Sequence, residues 1–159
     1  MVEDARFEDG RERPLRLRAL DADDLAVISA LVQDAVLPIG EIRWQKSKRR
    51  LGLLLNRFRW EDLPRAERSG RTFERVRSVL VVEDVTRVAT QGVDRSDSDT
   101  ILSVLAIAFE PGEEGAGRVL LTLAGDGAIA ADVETLEVVL QDVTRPYVAP
   151  SKSRPRHPE

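Results

Sequence analysis

Residues 100–111, TILSVLAIAFEP, are apolar on both faces of an extended chain. Ile101, Leu105, Ile107 and Phe109 point one way, and Leu102, Val104, Ala106 and Ala108 the other. A strand of that kind is covered on both sides, so the remaining chain has to supply the cover. It does so mostly with more strands. LRLRAL at 15–20 alternates like a short strand, and RVRSVLVVEDVTRVA is valine-rich and holds one long strand or two short ones. In EIRWQKSKRRLGLLLNRF a hairpin is expected, with KSKR as its turn and Ile42 and Trp44 on one face. Its second strand places Leu54, Phe58 and Trp60 on one face and Arg57 and Arg59 on the other. Gly125-Asp126-Gly127 between two strand-like runs is a second hairpin signal.

Two stretches carry helical periodicity. Asp21 can cap a helix over 22–35, with Asp24 at the third position and Leu25, Ile28, Leu31, Val32 and Ala35 at helical spacing. Pro38 and Gly40 break the pattern. Asp132 can cap another over 134–144, where Leu136, Val139, Leu140 and Val143 fall at i, i+3, i+4 and i+7 and Pro146 stops the chain. The predicted order is strand, helix, about seven strands, helix. The short connections make neighbouring strands antiparallel. The class is α+β with a mainly antiparallel sheet. A roll or barrel closed by a C-terminal helix, pleckstrin-homology-like with an added N-terminal strand and helix, fits this order. So does an open sheet with two helices on one face. The expected division is a disordered N-terminus at 1–13, one α+β domain at 14–147 and a mobile tail at 148–159, with a polar loop at 64–70.

Several chemistries are excluded. The chain of 159 residues has no cysteine, so neither a disulfide framework nor thiolate catalysis is open to it. Its one histidine, His157, lies in the tail, away from any catalytic core. Zinc sites built on Cys and His fall with it, and there is no P-loop or dinucleotide fingerprint. The acidic start lacks the features of a secretory signal, and no apolar run approaches the ~18 residues of a membrane span. The expected setting is cytoplasmic, with no membrane association. No catalytic residue, cofactor or metal ligand is assigned.

Charge is unevenly spread. Residues 43–77 hold twelve Lys/Arg and four Asp/Glu, whereas residues 79–144 hold three and thirteen. The first candidate binding site is the hairpin cluster Arg43, Trp44, Lys46, Lys48, Arg49 and Arg50, joined by Arg57. Its cations could seat a phosphate or a nucleic-acid backbone, with Trp44 stacking a base. The competing reading is a solvated turn with Trp44 facing the core. Asn56 suits a structural hydrogen bond better than a ligand, and Glu61 is expected to cap or to pair with Arg59.

The second candidate is the polar cluster Asp94, Arg95, Asp97 and Asp99 in GVDRSDSD. A calcium loop needs glycine at position six and an acidic residue at twelve. Counting from Asp94 these positions are Asp99 and Leu105, and counting from Asp97 the twelfth is Ala108, so both registers fail. The simpler reading is that Gly92 turns the chain and the Asp and Ser side chains bond nearby backbone N–H groups.

LRALDADDLAVISALVQDAV, LLLNRFRWE, GVDRSDSDTILSVLAIAFEP and the ending SKSRPRHP together resemble a family of small alphaproteobacterial proteins of unknown function. The likeness covers most of residues 15–157. The resemblance implies no activity, cofactor or catalytic residue. The function expected from the residues is a non-catalytic binding or adaptor module that holds a protein partner by its sheet edges or basic hairpin. An RNA- or nucleotide-binding protein using residues 43–77 is the alternative, and a carboxylate-based enzyme the next.

Overall fold

The computed structural model describes residues 14–62 and 74–148. The expectations for residues 1–13, for the loop at 64–70 and for the tail after residue 148 lie outside the described residues. The elements are β1 (Arg16–Ala19), α1 (Ala22–Val32), β2 (Val36–Pro38), β3 (Ile42–Gln45), β4 (Arg50–Phe58), β5 (Glu74–Val82), β6 (Val85–Gln91), β7 (Ile101–Pro111), β8 (Gly117–Leu123), β9 (Ala128–Val133), β10 (Val138–Asp142) and β11 (Tyr147–Val148). Strand order is β1-β10-β5-β4-β2-β7-β8-β9-β6, with β3 also beside β4 and β11 beside β5. Every pairing is antiparallel. The sheet is open, since β1 and β6 stand at its two ends without pairing to one another among the described residues. It bends over on itself. Leu51, Leu53 and Leu80 from β4 and β5 meet Ile107, Leu121 and Ile129 from β7, β8 and β9 around a void of about 10 Å³.

Local sequence explains much of this. Asp21 caps α1, its side chain accepting from Asp24 N at 2.8 Å. Leu25, Ile28 and Val32 are buried, as the spacing predicts. The helix stops at Val32, three residues early, because Asp34 turns left-handed at φ 65° and the chain then bonds to β7. Asp34 N donates to Val104 O and Val104 N to Ala35 O, both at 2.8 Å. Gly125 and Asp126 take the positive φ that a tight hairpin turn demands, joining β8 to β9 as expected. In the KSKR turn, Lys46–Lys48 form one 3-10 turn and Arg49 reverses the chain at φ 55°.

β7 departs from its expected alternation. A bulge between Val104 and Ala106 shifts the register against β8. Val104 and Ile107 are therefore both buried, while Ile101 and Leu105 remain 59% and 38% exposed. The strand is not covered on both sides along its length.

The expected C-terminal helix over 134–144 is a strand. β10 lies between β1 and β5, so the element expected as a closing helix is a strand paired on both sides within the sheet instead. Leu136, Val138, Leu140 and Asp142 are buried in alternation, whereas Val143, a member of the helical stripe, is 51% exposed. The run reads helical only if Asp142 is assumed to face water. Asp132, expected as its cap, sits in β9 and accepts from Arg118 Nε at 3.0 Å.

Asp142 is buried because of Arg57. Arg57 stands on the core face of β4 in line with Leu51, Leu53 and Leu55, and its side chain is 0% exposed. The face opposite Leu54 and Trp60, expected to be the outer one, is thus the inner one. The guanidinium reaches Asp142 at 3.0 and 3.2 Å, Ser78 Oγ at 3.0 Å, and both oxygens of Glu61 at 2.9 and 2.8 Å. Ser78 Oγ donates to Asp142 at 2.7 Å, and Leu15 N donates to its other oxygen at 3.1 Å. Burial pulls the Arg57 pKa down, but the bonds from Glu61 and the charges of Glu61 and Asp142 outweigh it and hold it above the ordinary value. Glu61 therefore pairs with Arg57, and Arg59 meets Asp62 and Glu74 instead.

Leu136→Ala should cost ~2–5 kcal/mol as a cavity in the sheet core. A denaturant midpoint that barely moves would place Leu136 outside it. Asp142→Ala leaves Arg57 buried without its buried carboxylate partner and should cost ~3–5 kcal/mol. The double change Arg57→Met with Asp142→Leu should cost less than the two single changes added, and simple additivity would show the pair to be uncoupled.

Glu61 gives a pH signature. Burial raises its pKa, but the bonds and charge of Arg57 prevail and hold it below the ordinary 4.5. A lowered folded value means its contribution is complete above 4.5 and is lost as pH falls through the lowered value. Acid titration should therefore erode wild-type stability more steeply below pH 4.5 than that of Glu61→Gln. Parallel acid curves would remove Glu61 from the network.

Candidate functional site

β3 pairs only with β4, and β6 only with β9, among the described residues. Each leaves one edge unpaired, and the two strands line opposite parts of a cleft of about 460 Å³. On either side of it, the two segments are tied by backbone bonds. Val85 N, at the start of β6, donates to Arg49 O at 2.9 Å. Beyond β6, Ser98 O accepts from Gly40 N and Thr100 O from Ile39 N, both at 2.9 Å. The position of β3 follows from its approach. Pro38 ends β2, and Ile39–Glu41 form one 3-10 turn that carries the chain from its pairing with β7 to a place beside β4 alone.

The cleft floor is apolar. Leu51 and Ile129 come up from the core, and the partly buried Ile42, Trp44, Val88 and Val93 surround them. Its polar groups are Arg43, Arg95, Thr90 and Ser98, and among the described residues no carboxylate lines it. Arg43 spends one nitrogen on Gly40 O. Neither Arg43 nor Arg95 makes an ion pair among the described residues, whereas Arg18, Arg49, Arg50, Arg59 and Arg118 each meet a carboxylate.

The two sequence candidates thus meet in part. Arg43 and Trp44 from the hairpin and Arg95 from GVDRSDSD share the cleft. The other hairpin cations do not join them. Lys46 and Lys48 are exposed on the 3-10 turn, Arg49 pairs with Glu134, and Arg50 pairs with Glu83 at 2.9 Å. Arg57 is in the core. The basic and acidic blocks of the sequence are therefore partly neutralised against each other.

The carboxylates of GVDRSDSD serve their own loop. Gly92 turns the chain at φ 67°, Asp94 accepts from Ser96 N at 3.0 Å and Ser96 Oγ at 2.6 Å, and Asp97 accepts from Asp99 N at 3.1 Å. The Ser96 hydroxyl and backbone hold the Asp94 carboxyl below its usual range. Asp94, Asp97 and Asp99 are all exposed. Among the described residues no group of three His, Cys, Asp or Glu side chains is placed to hold a metal ion. Asn56 donates to the Tyr147 hydroxyl at 2.7 Å, a structural bond.

A second hollow of about 270 Å³ has Glu61 and Asp142 in its wall, with Arg16 and Arg59. Both carboxylates bond Arg57, and Asp142 also accepts from Ser78 and Leu15. General acid–base work needs a carboxyl with a pKa raised toward the working pH. Glu61 is shifted the other way. This hollow is the outer side of the structural network.

In the sequence Arg95 and Ser98 are legible only as members of their own loop, and Val88 and Thr90 are not singled out at all. Nothing local marks them, since what unites them is the approach of segments about fifty residues apart.

No helix among the described residues is long and apolar enough to cross a membrane. No curated protein and no solved structure matches the chain. The family described as "Protein of unknown function (DUF2948)" matches residues 15–157, nearly the whole chain, and the protein belongs to that family.

Proposed function

We propose that the protein is a non-catalytic cytoplasmic binding module and that the cleft between β3 and β6 holds its partner. The observation that carries this is the convergence of Arg43 and Arg95, both without an ion pair among the described residues, on an apolar floor that includes Trp44. What sets these two cations apart is their place, since both line one cleft. The cleft also joins the two features expected to serve a binding module, a free sheet edge and the basic hairpin. Dispersal of the remaining cations weighs against an RNA-binding face, which needs a continuous basic track. Commitment of Glu61 and Asp142 to Arg57 weighs against the carboxylate enzyme.

Thr90, exposed at the rim, is the place for a photo-crosslinker. With a compact aliphatic diazirine amino acid there, irradiation in native cells should give one dominant adduct by intact mass. Arg43→Glu with Arg95→Glu should remove it. The same crosslinker at exposed Arg77 on β5 should not produce it. An adduct pattern common to both positions and indifferent to the charge reversal would sink the reading.

A further inference from the structure

We infer that the occupant of the β3–β6 cleft is a small organic anion with an apolar body, an inference that rests on the cleft being the binding site. Size is the first argument. The cleft, at about 460 Å³, falls in the range of small-ligand sites. The two segments are tied to each other by the bonds of Val85 to Arg49 and of Gly40 to Ser98. The four residues of β3 between them span roughly 13 Å. That length suits a compact molecule better than a protein segment, which would have to leave the slot after three or four residues.

The lining supplies the second argument. Leu51 and Ile129 are 2% and 1% exposed, so the floor is an extension of the hydrophobic core. Trp44 and Val88 pack against that core and also line the cleft. Such a surface takes up an aliphatic or aromatic body at roughly 25 cal/mol per Å² removed from water.

Charge is the third. Among the described residues, Arg43 and Arg95 are the only charged ones that line the cleft. A guanidinium matches the two oxygens of a carboxylate, or the face of a phosphate, with parallel N–H donors. Thr90 and Ser98 add hydroxyls at the rim. Together these select an anionic head on an apolar body, and they disfavour a neutral lipid, which leaves both guanidiniums without a partner, and a free inorganic anion, which leaves the floor uncovered.

The test titrates the purified full chain with decanoate, decyl phosphate, decanol and anilinonaphthalene sulfonate. Tryptophan fluorescence and calorimetry give the affinities. Decanoate or decyl phosphate should bind one-to-one at micromolar concentration, and the stronger of the two identifies the head group. Decanol should bind about tenfold more weakly or worse, the cost of losing a charge-assisted bond. Arg95→Gln and Arg43→Gln should each weaken the anion about tenfold while leaving decanol unchanged. Thr90→Trp, placed at an exposed position, should fill the cleft and abolish all binding while the thermal melt stays that of wild type. Decanol binding as well as the anions, or anion binding untouched by Thr90→Trp, would overturn the inference, as would failure of all four probes. A protein-sized adduct at Thr90 together with failed probes would overturn it while leaving the cleft as the binding site. Loss of both the adduct and the probe signal would take the cleft reading with it.

Discussion

Arg57 carries a full charge with none of its side chain exposed, and the sheet is arranged so that this is tolerable. A buried guanidinium without partners would cost several kcal/mol. Here Ser78, Glu61 and Asp142 engage its nitrogens, and those residues come from β5, from the turn after β4 and from β10. In the register of β4, β5 and β10, Asp142 lies opposite Ser78, and Ser78 opposite Leu55, so that Arg57, two residues along β4 on the same face, reaches both. A slip of one residue would turn one charge outward and strand the other in the core. An apolar pair would be as stable or more so, but it would not discriminate between registers in this way.

The cleft has an opposite origin. It exists because a pairing is missing. The 3-10 turn at Ile39–Glu41 takes the chain off β7 at Pro38, so β3 reaches only β4. Across from it β6 is tied to β9 alone. Open strand edges invite association with other chains. Here the exposed turn beside β3 carries Lys46 and Lys48, the charged flanks that discourage it. One half of the molecule is therefore fixed by a network of paired charges, and in the other Arg43 and Arg95, without an ion pair among the described residues, stand beside an apolar floor. The contrast between the two is what separates scaffold from site in this fold.

Turn chemistry made a large part of the fold legible. Asp21, the Gly125-Asp126-Gly127 hairpin and the KSKR reversal act through bonds within a few residues, and all three appear where the sequence puts them. The two larger departures are one event seen from both ends. Arg57 looks like an outward-facing residue of β4, and Asp142 looks like the wet face of a helix, because an isolated charge belongs in water. Each is buried only because the other is, across 85 residues of sequence. Once Asp142 faces inward, Leu136, Val138 and Leu140 fall into strand alternation; with it outward, the same letters give a helical stripe. The bulge in β7 was hidden for a similar reason, since it depends on the bonds of Val104 to the chain leaving α1. In the site, Arg43, Trp44 and Arg95 were visible singly, but their meeting was not.

The bond between Leu15 and Asp142 joins positions 127 residues apart, and β1 has β10 as its only strand neighbour among the described residues. The first strand of the domain is therefore among the last to find its place. During synthesis at 5–20 residues per second it waits roughly 6–25 s for its partner to be made. For that interval Leu17 and Ala19 have no sheet to join, and β5 shows an open edge where β10 will lie. The arginines that alternate with them, Arg16 and Arg18, keep the waiting segment in water, so the polar half of this short strand serves the unfinished chain as much as the finished one.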